Sequence, residues 1–252
     1  MNKNNSLKNA ILITFGIDIL GIAIAVSRAI ILERSPMRYF GEGGFMTWIS
    51  VIQLFVIAIF CWKIGNVRKL VTKTRINKYR FLSKKKTFLF WYIAGAGMFF
   101  FALDDAFKIH ENLDRFILKT LEIENTSFTT RLDDFIILFY AIIGLLTIYW
   151  FRGEIKHYRN ALPWFKLGIF FSFMTIFLDM FGHNRETFAP FADNLDELNY
   201  IHHWVSAFEE MPKILAGGAF LVSVFCCLQI AKKITKPQES YRQSQLESQF
   251  DN

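Results

Sequence analysis

Residues 87–111 read TFLFWYIAGAGMFFFALDDAFKIHE. Residues 87–103 carry no charge, and then Asp104, Asp105, Lys108, His110 and Glu111 arrive together. A bilayer core takes about 20 apolar residues as a helix, so this stretch predicts a membrane span whose far end is ionisable. The same pattern recurs twice. An apolar run ends in Asp179-Met180-Phe181-Gly182-His183, and another begins beside His202-His203 and carries Glu209-Glu210. Ionisable groups in or beside a bilayer are expensive and are kept for a purpose. Three such clusters at one depth point to one shared polar site.

The whole chain agrees with a membrane setting. It has 252 residues, 53% of them apolar, with 29 Phe and only 5 Pro. Six stretches are long and apolar enough to span: 9–32, 45–64, 87–109, 135–151, 164–182 and 204–231. The predicted fold is all-α, a polytopic bundle of six transmembrane helices. Residues 1–235 form a single domain, and the Gln/Ser/Glu-rich residues 236–252 form a disordered polar tail. The first stretch holds Asp18 and Arg28 and lacks a small-residue cleavage pattern, so it is expected to be a permanent helix.

Loop charge sets the expected orientation. No acidic residue lies between Glu42 and Asp104, while Lys63, Arg68, Lys69, Lys73, Arg75, Lys78, Arg80 and Lys84 to Lys86 crowd the same interval. Residues 152–163 and the start of the tail are also basic. Six spans with both termini cytoplasmic satisfy every loop and put the polar ends outside. The net charge of +7 then reflects topology and contact with anionic lipid. The basic loop lacks interleaved stacking aromatics, so no nucleic-acid partner is expected. Cys61, Cys226 and Cys227 lie in apolar stretches and imply neither a disulfide framework nor a cysteine-based zinc site.

Helical geometry organises the polar end. A continuous helix over 87–111 would put Asp104 and Glu111 on one face with Lys108 between them. Asp179 and His183 are four apart and stack on one face. His202, Glu209 and Lys213 share a stripe, and Lys213 is spaced to pair with Glu209 or Glu210. Helix bundles build metal sites from inward Asp, Glu and His at such spacings. Asp179, His183, His202, His110 and Glu111 are therefore the candidate ligands of a divalent metal ion. Nitrogen and carboxylate donors suit zinc, iron or manganese, with zinc the first candidate. Glu209 or Asp104 is the candidate general base, and Lys213 or Arg28 the candidate stabiliser of negative charge. Asp18, near the middle of the first span, is a pairing partner or a charge relay. Pro212 should kink the last helix beside the carboxylates. Asp133, Asp134, Asp193, Asp196 and Glu197 read as solvated loop or helix-start charges.

With Leu103-Asp104-Asp105 and His110-Glu111 followed by Glu209-Glu210 and Gly217, the chain resembles a group of uncharacterised bacterial multi-pass membrane proteins. Their mid-chain helix carries Leu-Asp-Glu or a variant followed by His-Glu, and their last helix carries Glu-Glu shortly before a Gly. The resemblance covers the third to sixth spans and implies topology and a shared polar site, not an activity; the expected location is the bacterial cytoplasmic membrane. Asp105 stands where Glu is commoner, and Lys213 where a further acid often sits. The site type is also similar to that of alkaline ceramidase-like membrane hydrolases, which gather His and Asp from several helices around zinc. Those proteins have seven helices and a His-x-x-x-His pair, whereas here the pair is Asp-x-x-x-His. The expected chemistry is metal-dependent hydrolysis of a lipid or lipid-linked substrate, with membrane lipid as partner. A cation or proton-coupled transporter, or a membrane sensor or binding protein, is the alternative.

Overall fold

A computed structural model describes residues 3–41, 43–73, 87–120, 132–182 and 185–250. Among these residues every regular element is helical. In chain order they are α1 (Lys3–Ile31), α2 (Met37–Phe40), α3 (Phe45–Lys73), α4 (Thr87–Phe107), α5 (Ile109–Thr120), α6 (Leu132–Trp150), α7 (Arg152–Ile155), α8 (Leu162–Gly182) and α9 (Leu195–Phe250). Short 3-10 helices occupy Lys156–Ala161 and Arg185–Phe191. Five helical segments are long and apolar enough to cross a membrane: Asn5–Ile31, Met37–Leu70, Thr87–Phe107, Arg152–Met180 and Leu195–Lys233. α6 contributes a shorter apolar segment, Leu138–Trp150.

The burial pattern of α1 is inverted relative to a water-soluble helix. Thr14, Asp18, Gly21, Ala25 and Ala29 are buried at successive steps of three or four residues. Leu12, Ile13, Ile17, Leu20 and Ile24 are exposed on the other faces. Lipid tails are as apolar as Leu, so spans associate through small and polar residues and leave their large apolar side chains outside. α9 is the central element. α1, α3 and α8 all pack on it, while α4 packs on α3. Glycines set the close approaches. A Cβ on Gly95 of α4 would stand 2.5 Å from the Trp62 indole of α3, and one on Gly168 of α8 would stand 2.7 Å from the Phe220 ring of α9.

Several boundaries differ from the hydropathy reading. α3 runs nine residues past the apolar limit at 64, because Lys, Arg and Leu propagate a helix well once it is packed. That extension carries Arg68 into the bundle, where its side chain is 1% exposed. Arg68 Nε donates to Glu154 Oε1 at 2.7 Å and Nη2 to Oε2 at 2.6 Å. Trp91 Nε1 and the Tyr158 hydroxyl donate to the same carboxylate at 3.0 and 3.3 Å. Two charges counted as loop residues therefore form a buried clasp joining α3, α4, α7 and the following 3-10 helix.

α9 begins at Leu195, ahead of the expected 204, and is continuous through Pro212. The helix continues to Phe250, over the polar segment for which composition predicts a tail; Gln, Glu, Lys and Arg are good helix formers and allow such an extension. Beside the clasp lies a largely apolar cavity lined by Cys61, Trp91, Met98, Phe220, Val224 and their neighbours. Besides Trp91, Cys61, Cys227, Tyr158 and Ser223 bring the only polar side chains to its described lining, which holds no carboxylate, histidine or lysine and lies far along α9 from the ionisable end.

Candidate functional site

The helix over 87–111 is broken, and the break makes the site. α4 stops at Phe107 because Lys108 takes φ +54°, the left-handed region that few non-glycine residues occupy. A new helix must find acceptors for its first N–H groups. Asp104 supplies one: His110 N donates to Asp104 Oδ1 at 2.8 Å, and His110 Nδ1 lies 2.9 Å from Oδ2. Asn112 Nδ2 donates to the Phe107 carbonyl at 3.1 Å and seals the turn. The expected shared face of Asp104 and Glu111 is thus corrected, since it required a continuous helix. Asp104 itself is 6% exposed.

α5 after the break is an amphipathic helix with Leu113 and Phe116 exposed beside Asn112 and Arg115. Such a helix suits the plane of a membrane interface rather than its core. The Glu111 side chain and His183 lie outside the described residues.

Lys213 of α9 is the hub of a second group. Its Nζ is 3.3 Å from Asp105 Oδ1 and 3.5 Å from Glu210 Oε2. Ser50 Oγ of α3 donates to Asp105 Oδ2 at 3.1 Å. One cation, two carboxylates and a hydroxyl therefore tie three helices. The Lys213 side chain keeps 34% of its surface exposed, so the group is a site rim and not a sealed core. Glu209 points the other way: a Cβ on Gly182, the last residue of α8, would stand 2.9 Å from Glu209 Oε2. Asp179 sits one helical turn before Gly182 and is partly buried. Behind these, His203 Nδ1 meets Ser35 Oγ at 3.2 Å, with the ring of His202 alongside.

About five residues further along α9, roughly 7.5 Å by helical rise, lies a third group. Asp18 of α1 is fully buried and accepts from Gln53 Nε2 of α3 at 2.5 Å. The free sides of these two groups press on α9: a Cβ on Gly218 would overlap Asp18 Oδ2, and one on Gly217 would overlap Gln53 Oε1. Arg28 is exposed on α1, away from this stripe.

Asp104 and His110 thus come together, as do Lys213, Glu210 and Asp105, while Glu209 meets the end of α8. Among the described residues no set of three or more His, Cys, Asp or Glu side chains is placed to hold one metal ion. The Lys108 turn folds His110 back so that its Nδ1 meets Asp104, which orients the ring. Ser50 and Gln53 were not anticipated. Their signal is the run Thr47, Ser50, Gln53, polar at every third position of an apolar helix and buried throughout.

Among the described residues, fold and site together define a helical bundle with five helices long and apolar enough to cross a membrane and ionisable side chains gathered where α4 and α8 end and α9 begins. The chain belongs to the family described as a domain of unknown function, DUF8692, which it matches over residues 10–231. No curated protein and no solved structure matches it.

Proposed function

We propose that the chain is a six-span membrane enzyme whose ionisable end faces outward and hydrolyses a lipid or lipid-linked substrate at the membrane surface. The observation that carries this is the Asp104–His110 pair at 2.9 Å, set at an interfacial turn in the same end of the bundle as the Asp105–Lys213–Glu210 group. A histidine oriented by a carboxylate is fitted for proton transfer. Lys213, fixed between two acids, offers preformed positive charge for a developing oxyanion. Glu209, lying against the end of α8, is the candidate base toward water. Between Asp18 and the Arg68–Glu154 clasp the bundle is filled by apolar side chains such as Ile57, Cys61 and Ile64. Chemistry confined to the outer end fits that arrangement better than passage through it.

A divalent ion held by Asp179, His183 and His202 would supply an acidified water and polarise a carbonyl or phosphoryl oxygen. Elemental analysis of the purified protein tests it. Near-stoichiometric metal is expected in the wild type and its loss in both Asp179→Asn and His183→Ala; retention in both variants removes the ligand assignment.

Orientation is tested separately. A cysteine placed at Asn194 should react with an impermeant thiol reagent added outside, and one at Asn77 should not. The reverse pattern moves the site to the cytoplasmic face. A second reading, a proton or cation carrier, is favoured by one observation. Asp18 is a fully buried carboxyl whose Oδ2 has no hydrogen-bond partner among the described residues.

A further inference from the structure

Arg185 opens the 3-10 helix Arg185–Phe191, three residues after α8 ends at Gly182. Its Nε and Nη2 atoms are buried and have no hydrogen-bond partner among the described residues. Buried guanidinium donors without acceptors are costly, so their presence calls for an acceptor that the described chain does not supply.

The identity of the two atoms narrows the acceptor. Nε and Nη2 form one edge of the planar guanidinium, with parallel N–H bonds. Arg68 uses that same edge to hold Glu154, Nε to Oε1 and Nη2 to Oε2. One arginine of this molecule therefore shows the edge filled by a two-oxygen anion, and the other shows it open. The fork matches carboxylate and phosphoryl oxygens, and neutral acceptors do not fill both donors as well.

Placement narrows it further. Three residues of chain reach at most about 11 Å, so Arg185 lies within that distance of Gly182, the glycine against Glu209. The 3-10 helix packs on α9 and α8, the two helices that frame Glu209 and Asp179. Arg185 is thus held at the end of the bundle, between two segments able to cross a membrane, and on the outer-end hydrolase reading it lies at headgroup depth near the carboxylate assigned to activate water. Phosphoryl groups are the oxyanions abundant at that depth.

We propose that Arg185 binds a phosphoryl oxyanion, that of a phospholipid headgroup, and seats it beside Glu209. This rests on the outer-end hydrolase reading and deepens it by naming the substrate class as a phosphate-bearing lipid. Free phosphate offers the same chemistry from solution.

The test is binding by the full-length protein, read without turnover. Wild type, Arg185→Gln and Arg185→Lys are purified from phosphatidylglycerol vesicles and examined by native mass spectrometry for retained lipid. In parallel, detergent-solubilised protein is titrated with inorganic phosphate against chloride at equal ionic strength. Arg185→Lys keeps the charge but cannot present two parallel donors, so it guards against a misfolded Gln variant. The expected result is a retained phosphatidylglycerol in the wild type, weakened by about tenfold or more in both variants. Phosphate binding that alone depends on Arg185 would keep the oxyanion site and assign its ligand to solution. Equal binding of both probes by all three proteins, or no binding of either by the wild type, would overturn the proposal. Arg185-dependent lipid binding without any hydrolysis would remove the hydrolase reading and leave the oxyanion site standing.

Discussion

Glu154→Ala is expected to lower the stability of the bundle by about 3–5 kcal/mol, the usual result of stranding one member of a buried ion pair. The side chains of Arg68 and Glu154 are 1% and 0% exposed, so water cannot replace the lost partner. Trp91 and Tyr158 would lose their shared acceptor as well. The clasp joins α3 and α4 to the connection between α6 and α8, so its loss should loosen that end first. Unfolding in mild detergent, followed by tryptophan fluorescence, measures the effect. The paired replacement Arg68→Met with Glu154→Leu should recover much of the loss, since apolar side chains of similar volume often serve as well. A Glu154→Ala protein as stable as the wild type would show that the pair does not form in the membrane.

Gly218→Ala is the second large effect expected. The added methyl would overlap Asp18 Oδ2, and the short Asp18 side chain, fully buried and held by Gln53, has little room to yield. Overpacking of this kind costs about 1–3 kcal/mol, and displacing Asp18 from Gln53 adds a comparable amount. The cost should be strongly non-additive. In an Asp18→Ala background the methyl has room, so Gly218→Ala should then be nearly neutral. Contacting residues give coupling of about 0.5–3 kcal/mol in such cycles. Thermal midpoints of the two single variants and the double variant measure it. Additive losses would mean that Asp18 does not lie against Gly218.

Five of the six expected stretches coincide with helices long and apolar enough to span, and they were legible because bilayer thickness imposes a length of apolar sequence; the stretch at 135–151 gives only the shorter apolar helix Leu138–Trp150. The polar end was legible for the same reason: Asp104, Asp179 and Glu209 stand out against apolar neighbours. The break at Lys108 was not. Lysine carries no local signal for a left-handed conformation, and the apolar run before it invites a longer helix. Yet the step of six positions from Asp104 to His110 corresponds to about 600° of rotation on one helix, which would set them on different faces. Their contact exists only because the helix stops. The clasp was hidden for a different reason. Arg68 belongs to a run of basic residues whose bulk role is orientation, and Glu154 lies in a short connection. Only the tertiary extension of α3 brings them together. Gln53 escaped notice because an amide in an apolar run has no charge to mark it, although its spacing from Ser50 and Thr47 places all three on one stripe.

The hydrolase and carrier readings part at the two ends of the polar stripe. On the hydrolase reading, catalysis at the outer end would depend on His110, Glu209 and Lys213 and would need Asp18 only for packing. Transport needs Asp18 to exchange its proton or ion. The measurement that separates them uses the protein reconstituted in vesicles of a bacterial lipid extract, with a pH-sensitive dye inside and lipid products followed by mass spectrometry. The expected result is a lipid hydrolysis product formed by the wild type and by a folded Asp18→Asn variant, lost in His110→Ala and Glu209→Gln, with no change in internal pH. Internal acidification that depends on Asp18, with no lipid product from the wild type, would contradict the account.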